Sequence, residues 1–135
     1  MKRGKMNAKR ICIIGSNLAG YTAALEIRNL LEKKHEIVVI SPNDQFVRTP
    51  CLVWLPFKKI SESEIKFDIR PIFKKNNIRF IHQEGVAFLP EKNTVKLQTQ
   101  SLSYDYLLIA TGAAPNATIA NLTSHPTIHC INSLD

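Results

Sequence analysis

The stretch Ile11 to Gly20, ICIIGSNLAG, constrains this chain more than any other, because an apolar run ends there on a glycine and a helix-forming segment follows at once. Ile11, Cys12, Ile13 and Ile14 are too few for a helix and read as a buried parallel strand, apolar on both faces. Gly15 then allows a sharp turn. From about Asn17 the period becomes helical, with Gly20, Ala23, Ala24, Ile27, Leu30 and Leu31 expected on one face and Thr22, Glu26, Asn29 and Lys33 on the other. Glu36 to Ile40, EIVVI, returns as a second apolar strand, so residues 10 to 41 have the order and length of one βαβ unit.

A helix start offers free N–H groups and the positive end of the helix dipole, which together attract an anion such as a pyrophosphate. In the G-x-G-x-x-G pattern the first glycine makes the turn, the second lets backbone approach the phosphate and the third lets helix pack on strand. Gly15 and Gly20 fill the first and third places. Asn17 stands in the second, where its side chain narrows the approach, although asparagine tolerates left-handed backbone better than most residues. The acid that usually takes the ribose at the end of the second strand is missing, since Ser41 follows Ile40 and the nearest carboxylate is Asp44. Ser41 is left to hold a ribose hydroxyl, more weakly. Taken alone, the unit also fits a strand-to-helix turn that binds nothing.

At 135 residues the chain has the length of one domain and is short for an enzyme with two nucleotide sites. The net charge of +7 is spread along the chain without interleaved aromatics, which argues for a solvated basic surface and against a nucleic-acid partner. No apolar run approaches the roughly 20 residues of a membrane-spanning helix, and the basic start MKRGKMNAKR lacks the apolar core of a signal peptide, so a cytoplasmic chain is expected. Cys12, Cys51 and Cys130 form no metal-ligand spacing or disulfide framework, and Cys12 reads as a small core residue. His35, His82, His125 and His129 form no recognisable ligand pair, so no metal is expected. Asn116 and Asn121 match the glycosylation pattern, which matters only in a secreted protein.

Met1 to Lys9 reads as a mobile basic lead. After the βαβ unit, Ser41-Pro42-Asn43-Asp44 should turn the chain. Gln45 to Lys59 is apolar without helical or strand period, is broken by Pro50 and Pro56, and should pack over a ligand or against another part of the protein. Ser61 to Glu64 matches a capping box and Asp68 offers a second cap, for a helix running to about Lys75; Pro71 favours the later start. Ile78 to His82 reads as a third strand. Val86 to Leu89 and Thr94 to Leu97 follow as an antiparallel meander about a turn at Pro90 to Asn93. Tyr104 to Ala110 is a strand running into Thr111 and Gly112, and the last twenty residues read as loop with one apolar stretch, Thr127 to Ile131.

Three segments, GSNLAG, SPNDQF and YDYLLIATGAAPN, together resemble the FAD-binding half of the pyridine nucleotide-disulfide oxidoreductase superfamily, and the strand ending in ATG is the most specific of them. The pattern Asn43-Asp44, Phe46, Pro50 and Trp54 is similar to sulfide:quinone oxidoreductases and, less closely, to type II NADH dehydrogenases. The resemblance implies an α/β, Rossmann-type FAD- or NAD(P)-binding domain over residues 10 to 115, with a parallel sheet and an antiparallel β-meander, and residues 116 to 135 as a loop leading to an absent remainder. It implies FAD as cofactor: Gly15, Asn17 and Gly20, with Leu18 and Ala19 between them, at the pyrophosphate, Ser41 at the ribose, the backbone of Val86 at the adenine, and Thr111 with Gly112 near the flavin.

A complete relative would carry electrons from sulfide or NAD(P)H through the flavin to quinone, peripheral on a membrane surface. No catalytic residue is assigned. Cys51 is followed five residues later by Pro56, so the CxxxxC pair of thiol-disulfide reductases is absent. As a fragment, the isolated chain is expected to lack turnover, either as a homo-oligomer or with its C-terminal part missing. The alternative is a non-catalytic nucleotide-binding or partner-binding module. An NAD-only dehydrogenase is disfavoured because the meander interrupts the alternation of strands and helices.

Overall fold

Both faces of the two central strands are apolar because both are covered, by helices on one side and by a meander on the other. The structure, a computed structural model, describes residues 7–113. In chain order the elements are β1 (Arg10–Ile14), α1 (Leu18–Leu30), β2 (Glu36–Ser41), β3 (Gln45–Val47), a 3-10 segment (Thr49–Trp54), α2 (Glu62–Ile65) and β4 (Lys66–Asp68). They continue with α3 (Arg70–Lys75), β5 (Arg79–His82), β6 (Gly85–Leu89), a 3-10 turn (Pro90–Lys92), β7 (Thr94–Leu97), β8 (Ser101–Ser103) and β9 (Tyr106–Ile109). Cys130, His125, His129, Asn116, Asn121 and the stretch Thr127 to Ile131 lie outside the described residues.

The main sheet is parallel in the order β5-β2-β1-β9, with Ile11 opposite Ile37 and Ile14 opposite Ile40. Side chains alternate across it. Ile11, Ile13, Ile37 and Val39 join Ala24 of α1 and Phe73 of α3 in one apolar cluster. Cys12, Ile14, Val38 and Ile40 join Val95, Leu97 and Leu102 of the meander in the other. The expected α/β architecture is therefore present as three layers, and the meander has a third strand, β8, that the sequence reading did not name.

Several local expectations are corrected. Leu30 is 81% exposed, because the buried stripe of α1 is Gly20, Ala24 and Arg28, and Leu30 lies roughly 120° round the axis from Ala24. Arg28 tolerates burial by donating to the carbonyl oxygens of His35 (2.8 Å) and Glu32 (3.4 Å), closing the end of the helix. Gln45 to Lys59 is not wholly irregular: β3 pairs antiparallel with β4, stacking Phe46 on Phe67 at 5.0 Å, and Pro50 opens the 3-10 segment. The single helix expected up to Lys75 is two helices separated by β4. The capping box of Ser61 and Glu64 starts the first, while Asp68 accepts from the Arg70 amide (2.8 Å) ahead of Pro71 in the second. Lys9 is tied down, its ammonium on Asp105 at 2.7 Å and its amide donating to Nδ1 of His35 at 3.1 Å.

Cys12 is fully buried, and that burial pushes its thiol up to about 11. Its reactive thiolate is thus scarce as well as covered. Thiol titration with an aromatic disulfide should show half-buried Cys51 reacting in the folded chain and Cys12 only after denaturant is added. Equal native rates for the two would mean that the β1 strand opens far more readily than its packing implies.

Candidate functional site

Parallel strands leave their C-terminal ends pointing the same way, and a cavity of about 360 Å³ lies across those ends. The turn after β1 forms its floor. Gly15 has φ +98°, and a Cβ there would sit 2.2 Å from the carbonyl oxygen of Ala110. Gly20 is forced by a close approach instead: a Cβ on it would lie 2.0 Å from the carbonyl oxygen of Gly15. The two glycines therefore let α1 start hard against the β1 turn. Asn17 is the N-cap of α1, with extended backbone (φ −79°, ψ −164°), no side-chain cap bond and no acidic residue in the first turn. Its place in the glycine pattern thus requires no left-handed geometry. The first-turn amides have no acceptor on their own helix, and Leu18 and Ala19 are exposed, which suits an anion.

Beside the turn, Ser16 is 3% and Ser41 4% exposed. Ser16 Oγ has two acceptors for its one hydroxyl proton, the Asn43 carbonyl at 2.7 Å and Ser41 Oγ at 2.8 Å. Ser41 Oγ in turn accepts from the Asn43 amide at 3.1 Å. This closed ring of bonds fixes the turn after β2. On the far side, Nε2 of His82 donates to the Pro42 carbonyl at 2.6 Å, joining the ends of β2 and β5.

Of the residues expected at the cofactor, Gly15, Asn17, Ser41 and Thr111 line the cavity, and Gly20 packs directly beneath its floor. Leu18, Ala19 and Gly112 are exposed and do not line the cavity. Val86 follows Gly85 of the cavity wall. It is the extra residue of a bulge, because Gly85 pairs with Leu97 and Ala87 with Lys96. Sequence reasoning missed Ser16, Asn43, Glu84 and Phe88, which also line the cavity. Ser16 and Asn43 adjoin residues that were singled out, and the position of Glu84 just past the end of β5 was the signal for it. Among the described residues no cluster of three His, Cys, Asp or Glu side chains could hold a metal, and no helix is long and apolar enough to cross a membrane.

The family model for pyridine nucleotide-disulphide oxidoreductases matches residues 9–132. The sulfide-quinone reductase of Aquifex aeolicus is 34% identical over 106 residues, covering 78% of this chain and 24% of its own length. The external alternative NAD(P)H-ubiquinone oxidoreductase B3 of Arabidopsis thaliana mitochondria is 27% identical over 125 residues, covering 83% and 21%. The solved structure of the sulfide:quinone oxidoreductase from Aquifex aeolicus superposes with a TM-score of 0.73 at 34% identity, over 78% of this chain and 24% of that one. The chain thus spans about a quarter of the length of these relatives. With its glycine turn, three-layer fold and matched segments, the chain belongs to the pyridine nucleotide-disulphide oxidoreductase family.

Proposed function

We propose that residues 10–115 are the FAD-binding part of a flavin-dependent oxidoreductase that, as a complete protein, passes electrons from sulfide or NAD(P)H to quinone. Residues 1–9 and 116–135 then flank that part. The observation that carries this reading is the uncapped start of α1, pressed by Gly15 and Gly20 onto the β1 turn and opening into the cavity. The amides of Leu18, Ala19 and Gly20 would meet the pyrophosphate, and the bulged backbone of Val86 would meet the adenine. Thr111 and Gly112, at the end of β9, would lie toward the flavin. Bound flavin would supply transfer of an electron pair between donor and acceptor, and the protein's part is placement and electrostatics. Exposed Val53, Trp54 and Phe57 support a membrane-surface or quinone side for the complete protein.

Calorimetric titration of the chain with FAD, ADP and NAD tests the proposal. FAD should bind tightest, with ADP competing for the same site. Asn17→Gly should keep or tighten binding, since it widens the approach without altering a backbone that already adopts ordinary geometry. Absence of heat and of competition with all three ligands would remove the cofactor reading. Weaker binding by Asn17→Gly would show that the asparagine side chain itself contacts the cofactor.

A further inference from the structure

We propose that Glu84 selects the nucleoside at this site: its carboxylate accepts hydrogen bonds from the ribose hydroxyls of an adenosine diphosphate and rejects the same nucleotide carrying a 2′-phosphate. This rests on the nucleotide reading above and deepens it. Among the described residues lining the cavity, Glu84 is the one charged side chain. It stands beyond β2 and β5, whereas the α1 start lies beyond β1, so the two electrostatic poles of the cavity are at different places along the strand ends. An anionic diphosphate belongs at the helix pole. At the carboxylate pole a hydroxyl donor is favoured and a second phosphate is opposed by like charge.

The position at the end of β2 that usually carries the ribose acid holds Ser41, which is uncharged, 4% exposed and already accepts from the Ser16 hydroxyl and the Asn43 amide. Asp44 is turned to other work, paired with Arg70 at 3.1 Å. Glu84 makes no ion pair among the described residues, yet its backbone is held on both sides. The Gln83 side chain bonds Thr99 at 2.9 and 3.2 Å, and Gly85 is registered against Leu97 in the meander. Phe88, 37% exposed on the same wall, offers an apolar surface to a base.

The test measures dissociation constants of the chain for ADP and for its 2′-phosphorylated analogue, in the parent and in Glu84→Gln and Glu84→Lys. The parent should prefer ADP by about tenfold or more, Glu84→Gln should lose most of that preference, and Glu84→Lys should reverse it. Substitution at this exposed position should leave the thermal transition within about a degree or two, in keeping with other surface changes. If the parent binds ADP and the preference is the same in all three proteins, Glu84 is not the selector and the nucleotide site stands. If the parent binds neither ligand, the nucleotide reading falls and the role of Glu84 falls with it.

Discussion

Replacing Gly15 by valine should abolish ADP and FAD binding and lower the stability of the chain by roughly 3–5 kcal/mol. Two costs combine. The residue sits at φ +98°, a backbone conformation in which a β-branched side chain is strained. The added Cβ would also lie 2.2 Å from the oxygen and 2.7 Å from the carbon of the Ala110 carbonyl. Those atoms cannot swing aside cheaply, because the Ala110 amide donates to Ile14 at 2.7 Å and so holds the end of β9 against β1. Relief must come from moving the β1 turn, and Gly20 ties that turn to α1 through the Gly15 carbonyl. The anion cradle would therefore be displaced even in molecules that stay folded. Urea unfolding gives the stability loss, and calorimetry below the transition gives the binding loss. A Gly15→Val variant that titrates with ADP like the parent would mean that the cradle is not where the nucleotide binds.

How much of this was legible in the sequence depended on whether the determining contact was local. The βαβ unit could be read directly, since a strand buried on both faces, a glycine turn and a helical period are properties of neighbouring residues. The capping box at Ser61 to Glu64 was legible for the same reason. The β3–β4 ladder was not, because three-residue strands carry almost no period and Phe46 finds its partner Phe67 more than one element later. Arg28 was hidden by its type. A basic residue is a poor candidate for a buried stripe until its carbonyl acceptors at His35 and Glu32 are seen. At the site, the glycine pattern pointed to the turn, but Glu84 reaches the cavity only because β5 lies beside β2 in the sheet order. Sequence spacing alone carries no record of that adjacency.

The second large effect is expected at Phe73, which does not line the cavity. Its ring is wholly buried and is the largest fully buried side chain among the described residues. It lies 5.7 Å from the ring of Tyr21 in α1 and 6.0 Å from that of Phe80 in β5, so one side chain joins α3 to both the helical layer and the sheet edge. Tyr21 in turn touches Phe46 at 5.0 Å and Phe67 at 5.8 Å. Phe73→Ala removes the link between Tyr21 and Phe80 in that cluster and leaves a cavity, which should cost about 3–5 kcal/mol and lower Tm by roughly 10–20 °C. The glycine cradle is built from backbone and does not touch Phe73 in the apolar cluster. ADP affinity measured well below the transition should consequently fall by less than about tenfold, the coupling running through Tyr21, whose ring packs on Phe73 and whose amide donates to the Asn17 carbonyl. Gly15→Val and Phe73→Ala thus separate the two duties of the same sheet, one variant losing the ligand out of proportion to the fold and the other the fold out of proportion to the ligand. If Phe73→Ala left the unfolding midpoint unchanged, the aromatic cluster would be packing that the chain can replace, and the helical layer would be held by β1 and β2 alone.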